Sequence, residues 1–452
     1  MATLLARNAL VLATMDDVGL EIRDGALFAR DGVIEAVGAT RDLPATADDV
    51  LDLAGHVVIP GLINTHHHLY QNLTRCVPAA QDASLFGWLR TLYPIWARLT
   101  PEHIRVSTII GLAELAISGC TTSADHLYLF PNGIRLDDEI AAARETGMRF
   151  HATRGSMSIG ESDGGLPPDS LVEREDAILA DCRRVIEAHH DAKPFAMTRI
   201  GVAPCSPFSV SRGLMKDAAG LARAYGVHLH THLAENAEDV AYSQAKFGMR
   251  PGAYAETLGW TGPDVWHAHC VHLDHSEIDL FARTGTGIAH CPTSNMRLAS
   301  GIAPVRRMLD AGVRIGLGVD GSASNDAAHL LQEARQAMLL QRVNGGAAGM
   351  SARQALRLAT RGGADVLGRT DIGVLAAGKA ADFAAYDLSV LQFAGADWDP
   401  VASLVFCAPL AAAHTVVHGR PVVREGRIAT VDMGPMIERH KRLVAGLMNA
   451  SN

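Results

Sequence analysis

The chain has 452 residues, of which 48% are hydrophobic and 5% aromatic, and its formal charge at pH 7 is −9. That charge argues against nucleic acid or an anionic membrane as a partner, because both bind basic surfaces. The length fits one large α/β barrel with an appendage as well as it fits two or three domains.

Cysteine usage and the first residues bear on the compartment. The seven cysteines are odd in number and show no CxxC spacing, which argues against a thiolate zinc site or a redox pair. Scattered, unpaired cysteines in a long chain indicate a reducing cytoplasm. The opening MATLLARNALVLATMDD is only briefly apolar and runs into Asp16 and Asp17, so it predicts a β-strand rather than a signal peptide. No stretch reaches the roughly 18 apolar residues that span a bilayer.

Both ends of the chain have a sequence pattern typical of short strands joined by polar turns. In residues 1–56 the segments ALVLATMDD, GALFARDG and VIEAVGA alternate or run apolar and are broken by Asp-Gly or Gly. The C-terminal segment, 369–452, shows the same pattern in GKAADFAAYDL and AHTVVHGRPVVREGRIATVD, and a terminal helix is predicted after it. We therefore predict that both ends of the chain form short strands of a small β-sheet, and that the middle of the chain has a different fold.

The middle of the chain, 57–368, alternates apolar β-type runs with helical segments. Eight runs can be counted: HVVIPGLINTHHH, CTTSADHLYL, MRFHATRGSM, RIGVAPCSPF, VHLHTHLAE, VWHAHCVHL, TGIAHCPTSN and VRIGLGVDGSAS. Eight strand–helix units predict a (β/α)8 TIM barrel. In almost every run the polar residues come last, and in such barrels the chemistry gathers at the C-terminal ends of the strands.

Histidines at the ends of the first and fifth runs are candidate metal ligands. Side chains alternate along a strand, so His66 and His68 share a face while His67 points away. Taken alone, three adjacent histidines could equally be hydrogen-bonded surface residues. In HLHTHLAE the histidine nearest the strand end is His232, and Glu235 follows it by three residues. A histidine ligand followed closely by a carboxylate suits a metal site with its own acid or base.

The sixth and eighth runs add further candidates. WHAHCVHL ends the sixth run with His267, His269 and His272, and Asp320 is the ionisable group that ends the eighth. A lone aspartate before glycine is ordinarily a turn or cap residue. Beside a histidine cluster, however, the carboxylate could bind the metal and also accept a proton from water. The four segments together are far more specific than any one of them.

These segments resemble the amidohydrolase superfamily, and within it the branch of nucleobase and triazine deaminases. PGLINTHHH is similar to that family's P-G-x-[IV]-[ND]-x-H-x-H, and THLAE, HCVHL and LGVDGSASN match its later strand-end motifs. The resemblance covers essentially the whole chain. It implies that the two ends, 1–56 and 369–452, form a composite β-sandwich beside the barrel.

The resemblance also implies roles for particular residues. The metal ligands would be His66, His68, His232 and Asp320, and Glu235 would shuttle a proton to a ring nitrogen of the substrate. His269 would orient the attacking water, although the sequence leaves a direct-ligand role open. Asp320 would help to deprotonate that water.

Two absences limit the kind of metal site that the sequence supports. Two-metal relatives use a bridging lysine at the end of the fourth strand, whereas Lys193 lies at the beginning of the fourth run here. Cys205 follows Pro204 without a second cysteine, so the P-C-x-x-C zinc signature of cytidine deaminases is missing. We expect one divalent ion, zinc in the first place with iron as the alternative, because three histidines and an aspartate bind both.

The loop after the first barrel strand bears on the substrate. Gln71, Trp88, Tyr93 and Trp96 could line a pocket, although each aromatic could equally pack a helix. Relatives that act on nucleosides carry a glutamate in a similar P-I-E motif, and here Trp96 takes that place, which favours a base without a sugar. Cys205 and Arg154, at the ends of the fourth and third strands, are weaker candidates for substrate contacts.

The stretches HHHLYQNLTR, DHLYLFPNG and APCSPFSVS most resemble those of enzymes that act on 8-oxoguanine. We therefore expect a hydrolytic deaminase that converts this free base to urate and ammonia. Alternatives are isoxanthopterin or guanine deamination, aminotriazine hydrolysis and, from a different class, a non-catalytic scaffold, which the full ligand set disfavours. The expected partner is this small aromatic base, and relatives usually form homo-oligomers.

Overall fold

The computed structural model describes residues 2–407 and 410–449, which form a closed eight-stranded barrel and a separate nine-stranded sheet. In chain order the strands are β1 (Thr3–Ala13), β2 (Glu21–Arg30), β3 (Val33–Ala39), β4 (Asp49–Asp52), β5 (His56–Pro60), β6 (Leu62–Asn64), β7 (Cys120–Leu127), β8 (Arg149–Ser156), β9 (Thr198–Pro204), β10 (His228–Leu233), β11 (Val265–His269), β12 (Gly287–His290), β13 (Arg314–Leu317), β14 (Phe383–Asp387), β15 (His414–Val417), β16 (Arg420–Arg424) and β17 (Arg427–Ile428).

The helices cover the barrel and one flank of the sheet. They are α1 (Leu85–Trp96), α2 (Pro101–Ile117), α3 (Leu136–Thr146), α4 (Glu175–His189), α5 (Arg212–Tyr225), α6 (Ala237–Phe247), α7 (Pro251–Thr257), α8 (His275–Thr284), α9 (Pro292–Arg297), α10 (Val305–Asp310), α11 (Leu330–Gly345), α12 (Ala352–Arg357), α13 (Gly363–Val366), α14 (Pro400–Phe406) and α15 (Met433–Asn449). Local signals set their ends: Asp274 caps α8 by accepting the Glu277 amide at 3.1 Å, and the left-handed Gly285 ends it.

Strands β6 to β13 are parallel and pair in chain order, and Leu317 of β13 closes the barrel against Asn64 of β6. Each predicted run supplies one barrel strand, so the predicted (β/α)8 fold is confirmed. In β10 the side chains alternate: Leu229 and Leu233 join the main hydrophobic core, whereas His230 points inward to His66. Imidazole side chains such as that of His230 therefore line the interior of the barrel towards its C-terminal end.

The two ends of the chain meet in the outer sheet, whose order is β17-β16-β15-β14-β5-β1-β2-β3, with β4 also paired to β1. The N-terminal and C-terminal strands join where β5 runs antiparallel to β14, from Pro60 opposite Phe383 to His56 opposite Asp387. Val57 belongs to the main core, and the next residue, Val58, to a smaller core of the outer sheet. Strand β5 thus packs on both of its faces.

The predicted start of the barrel at residue 57 needs correction. The run HVVIPGLINTHHH contains two strands, because β5 pairs in the outer sheet and only β6 pairs in the barrel. The chain changes sheets at Pro60-Gly61, where a Cβ on Gly61 would lie 2.1 Å from the Thr121 side chain. An uninterrupted apolar run concealed this crossing, so the outer sheet extends to Pro60.

Two contacts fix the outer elements to the barrel. Arg149 on β8 and Asp382, just before β14, form a buried ion pair with 3.1 Å between Nε and Oδ2. Helix α15 lies against α2, and His440 contacts the Oδ1 of Asn72 through Nε2 at 2.8 Å. In the described ranges, none of the helices combines the length and apolar character needed to cross a membrane.

Candidate metal centre and catalytic cavity

The strand-end candidates converge at the C-terminal mouth of the barrel. Asp320 Oδ1 lies 3.2 Å from His66 Nε2 and 3.4 Å from His68 Nε2. The Nε2 atoms of His68 and His232 are 3.1 Å apart. Three elements of the barrel thus bring three imidazole nitrogens and one carboxylate oxygen to one point, although the residues are far apart in sequence.

The other ring nitrogen of each histidine is already engaged. His68 Nδ1 donates to the carbonyl of His126 at 2.7 Å, and His232 Nδ1 donates to the carbonyl of Cys205 at 2.5 Å. His66 Nδ1 donates to Nε2 of His230 at 2.8 Å, and His230 Nδ1 donates in turn to the Trp266 carbonyl at 3.0 Å. These bonds fix the tautomers so that the three Nε2 atoms are unprotonated, which is how proteins orient histidine ligands.

The donor set fits a divalent transition metal. The Nε2 of His66 is buried and makes no hydrogen bond, so it is left with a free lone pair at the centre of the cluster. Burial lowers the pKa of His66 and His68, and lowers that of His232 to about 3, which keeps all three rings neutral. Neutral imidazoles with one carboxylate are typical zinc or iron ligands.

His126 is a member of this cluster that the sequence reasoning missed. Ligand-type atoms of His66, His68, His126 and His232 all lie within 4.8 Å of one another. Its ring stacks on that of His232 with centroids 4.8 Å apart, and its Nε2 donates to the Ala203 carbonyl at 2.8 Å. The signal was available, because His126 ends the second barrel run as part of an Asp-His pair.

Glu235 and His269 lie beside the candidate metal ligands, on the side of the cavity. His269 Nε2 lies 3.5 Å from Glu235 Oε2 and 3.9 Å from Asp320 Oδ2. Burial, followed by the charges of Asp239 and Asp320, raises the pKa of Glu235 well above its usual value. The Oε1 atom of Glu235 is buried without a hydrogen-bond partner. A carboxyl in this state holds a proton near neutral pH and is suited to donate it.

A narrow cavity adjoins these groups and has aromatic and aliphatic walls. Among the residues named from sequence, Gln71, Trp88, Tyr93 and Cys205 line it, together with His68, His232, Glu235, His269 and Asp320. Ser206 and Phe208, which follow Cys205 at the end of the fourth barrel strand and are also expected from sequence to reach the base, line it too. Sequence reasoning missed the remaining lining residues, which are Leu85, Leu89, Tyr128, Leu298 and Ser324. Most of these belong to other loops, and only the fold brings them to the cavity.

Two residues named as substrate contacts do not reach the cavity wall. Trp96 is fully buried, and its Nε1 donates to Thr74 Oγ1 at 3.1 Å. Arg154 is buried in ion pairs with Glu173 and Asp181, each at 2.8 Å, so its guanidinium is already occupied. The expectation that these two side chains contact the substrate is corrected: Trp96 supports the cavity from behind, and Arg154 joins the third strand to α4 and the segment before it.

The site and the barrel define a metal-dependent hydrolase, and comparison with known proteins gives its family. The model of the amidohydrolase family matches residues 57–422, and the chain belongs to that family, which confirms the resemblance predicted from sequence. Within it the chain is an enzyme that hydrolyses C–N bonds, as its deaminase and aminohydrolase relatives do.

Three known proteins are similar to this chain over nearly its whole length. The chain is 46% identical to an 8-oxoguanine deaminase from Pseudomonas aeruginosa, over 98% of each chain. It is 38% identical to a hydroxydechloroatrazine ethylaminohydrolase from Pseudomonas sp. strain ADP, over 96% of this chain and 93% of the relative. The crystal structure of an atrazine chlorohydrolase from Arthrobacter aurescens TC1 complexed with zinc superposes with a TM-score of 0.93 at 35% identity, over 98% of this chain and 100% of that one.

Proposed function

We propose that this protein deaminates a free aromatic base, 8-oxoguanine, to give urate and ammonia. The observation that carries the proposal is Glu235, whose buried Oε1 has no partner and which lines the same cavity as His269 and Asp320. A proton donor beside a metal centre is what replacement of a ring amine by water requires. The 46% identity to an 8-oxoguanine deaminase favours this base over others.

We propose that one divalent ion, zinc rather than iron, is held by His66, His68, His232 and Asp320. Neutral imidazoles with lone pairs turned inward support this ligand set. When bound, such an ion lowers the pKa of water from about 15.7 toward 7. The zinc-complexed chlorohydrolase structure favours zinc.

In the proposed reaction, Asp320 and Glu235 carry out the proton transfers. Asp320, with His269 3.9 Å from its Oδ2, takes a proton from the attacking water. The water oxygen forms a bond to the ring carbon that carries the exocyclic amine, while Glu235 protonates the adjacent ring nitrogen. The carbon–nitrogen bond then breaks as the amine takes up the proton held by Asp320 and leaves as ammonia. The hydroxyl on the ring carbon returns a proton to Glu235 and becomes the carbonyl oxygen of the product. One water is consumed for each ammonia released.

Gln71 supports recognition of the base. Its side chain is buried at the cavity wall, and its Oε1 has no hydrogen-bond partner in the described structure. The amide can therefore accept from a ring N–H and donate to a carbonyl, a pair that an oxidised purine offers. Trp88, Tyr93, Tyr128 and Phe208 give the cavity the flat apolar surfaces that suit a planar ring.

A second candidate is the hydrolysis of an alkylamine from a triazine. The 38% identity to a hydroxydechloroatrazine ethylaminohydrolase favours it, and the same metal site and the same proton donor would serve. A triazine and a purine differ in size and in their ring N–H groups, so substrate profiling separates the two.

The test is ammonia release from 8-oxoguanine, isoxanthopterin, guanine, cytosine and aminotriazines, with metal content measured on the same sample. We expect the highest kcat/KM for 8-oxoguanine, loss of activity with a chelator and recovery with zinc. Glu235→Gln should lower kcat at least about 100-fold while metal content stays at one per chain, because only the proton donor is lost. Near-full turnover by that variant would refute the role of Glu235, and preference for a triazine would support the second candidate.

The seven cysteines are all free thiols, which fits our proposal of a reducing compartment such as the cytoplasm.

A further inference from the structure

Two loops outside the metal ligands hold the reacting side chains in place. In the loop between β12 and α10, which includes the short helix α9, Ser294 Oγ donates to Asp320 Oδ2 at 2.6 Å, and Asn295 Nδ2 contacts His269 Nδ1 at 3.0 Å. In the loop after β13, Ser324 Oγ also donates to Asp320 Oδ2, at 3.2 Å. The oxygen of Asp320 that faces away from His66 is therefore oriented by both loops.

Glu333, on the outer helix α11, binds both of these loops from behind. Its Oε2 accepts the backbone N–H of Thr293 at 3.0 Å, the residue just before Ser294. Its Oε1 accepts from Asn325 Nδ2 at 3.0 Å, and that amide also donates to the Val319 carbonyl at 2.7 Å. Val319 immediately precedes Asp320. One carboxyl thus joins the backbone that places Ser294 and Asn295 to the backbone that places Asp320.

The side chain of Glu333 is almost completely buried, but it does not line the catalytic cavity. Its side chain is 1% exposed, and it is absent from the residues that line the catalytic cavity. A buried carboxyl is expensive to maintain unless its oxygens are satisfied, and both oxygens of Glu333 accept bonds here. An apolar residue would fill the same space but could not hold two loops in one relative position.

We propose that Glu333 is a positioning residue for the deamination, holding the loops after β12 and β13 so that Asp320 and His269 keep their geometry at the metal. The proposal rests on the deaminase function proposed above. Glu333 makes no contact with the reacting atoms, and it acts through Thr293 and Asn325. Its loss should therefore reduce turnover and alter the metal site more than it reduces substrate binding.

Three variants test this inference. Glu333→Ala removes both bonds, and Glu333→Gln keeps one acceptor for Asn325 but turns an N–H donor toward the Thr293 amide. The matched control is Glu277→Gln on α8, because Glu277 is 2% exposed and accepts the backbone N–H groups of Gly252 and Asp274, away from the cavity. Each protein is purified, loaded with Co2+, and compared by its visible absorption spectrum and by its kcat and KM for 8-oxoguanine.

We expect Glu333→Ala to lower kcat about 100-fold with KM within about threefold, because small displacements of catalytic groups act mainly on turnover. The kcat of Glu333→Gln should lie between the kcat of Glu333→Ala and that of the wild type. The cobalt bands should shift in both Glu333 variants and stay in place in Glu277→Gln. If Glu333→Ala fails to fold, Glu333→Gln decides the matter.

Unchanged kcat and unchanged cobalt bands in the folded Glu333 variants would overturn the proposal. An equal loss of kcat in Glu277→Gln would also overturn it, because the effect would then be general destabilisation. The cobalt spectrum needs no substrate. If the wild type deaminates none of the bases, the proposed function fails, while a band shift confined to the Glu333 variants still supports the positioning role at the metal.

Discussion

Asp239 lies directly behind Glu235, the proposed proton donor. Its Oδ2 accepts the backbone N–H of Glu235 at 2.9 Å, and burial raises the pKa of Asp239 itself to about 7. Its negative charge is also, after burial, the largest contribution to the raised pKa of Glu235. The pH at which Glu235 loses its proton therefore depends on a neighbour that does not touch the substrate.

This arrangement predicts the behaviour of Asp239→Asn. The change removes a negative neighbour, so the pKa of Glu235 should fall. Since the proposed mechanism needs Glu235 protonated, activity should be lost as the pH rises through that pKa, and the alkaline limb of the kcat/KM profile should move to lower pH. A profile recorded between pH 5 and 10 checks this, and an alkaline limb that stays in place or moves upward would contradict it.

Gly321 sets the position of Gln71. A Cβ at Gly321 would lie 1.8 Å from Gln71 Oε1, so Gly321→Ala must displace the amide from its place. We expect KM for the base to rise about tenfold, which corresponds to ~1.4 kcal/mol of lost binding, with a smaller change in kcat. The control is Gly220→Ala on α5, where a Cβ meets no atom within 4 Å. Equal KM values for wild type and Gly321→Ala would argue against a role for Gln71 in recognition.

Strand geometry is enough to predict which of the strand-end side chains lie together, although their role as metal ligands stays a proposal. Alternation along a strand separates His66 and His68 from His67, and the position nearest the strand end singles out His232. The same rules point to His126, near the end of the second barrel strand, but they could not find Asn295, because its contact with His269 depends on which strands become neighbours. Trp96 and Arg154 were misjudged since closeness in sequence to a motif does not show which way a buried side chain points.

At the scale of elements, the ion pair between Arg149 and Asp382 joins a barrel strand to the outer sheet. Both side chains are almost completely buried, and Arg149 Nη1 also donates to the carbonyls of Phe195 and Ala196. Removing one partner leaves an uncompensated buried charge. This pair is therefore the contact between the two sheets whose disruption should be most damaging.

We expect Arg149→Met to lower the free energy of unfolding by about 3–5 kcal/mol, because Asp382 would stay buried without its partner. Urea or thermal unfolding followed by circular dichroism measures the change. Arg174→Met is the control: its pair with Asp176 is solvent-exposed, and such pairs contribute about 0–1 kcal/mol. Similar losses in the two variants would show that the buried pair is not a special link between the sheets.

The elements themselves were largely predictable, because each barrel strand is a short apolar run that ends in polar residues. The misplaced boundary at residue 57 has a simple cause. β5 is apolar on both faces, as barrel strands are, and it is followed after one residue by β6. Composition cannot tell the two apart, and only Pro60-Gly61 marks the change of sheet.

For the whole molecule, the sequence identified the family and the barrel because ligands spaced across 255 positions must still match one pattern, from His66 to Asp320. The substrate stays a proposal, since the cavity walls come from loops of several strands. The oligomeric state and the cytoplasmic location stay predictions.

The pairing of β5 with β14 also constrains how the protein folds while it is being made. β5 leaves the ribosome before any barrel strand, yet its partner β14 follows only after the last one. Until then the nascent chain carries an apolar strand with an open edge, the kind of edge that pairs with other chains and aggregates. Contacts between such distant segments form slowly. We therefore expect the outer sheet to be completed only after all the barrel strands have been made, and chaperone dependence to be greatest while that edge is open.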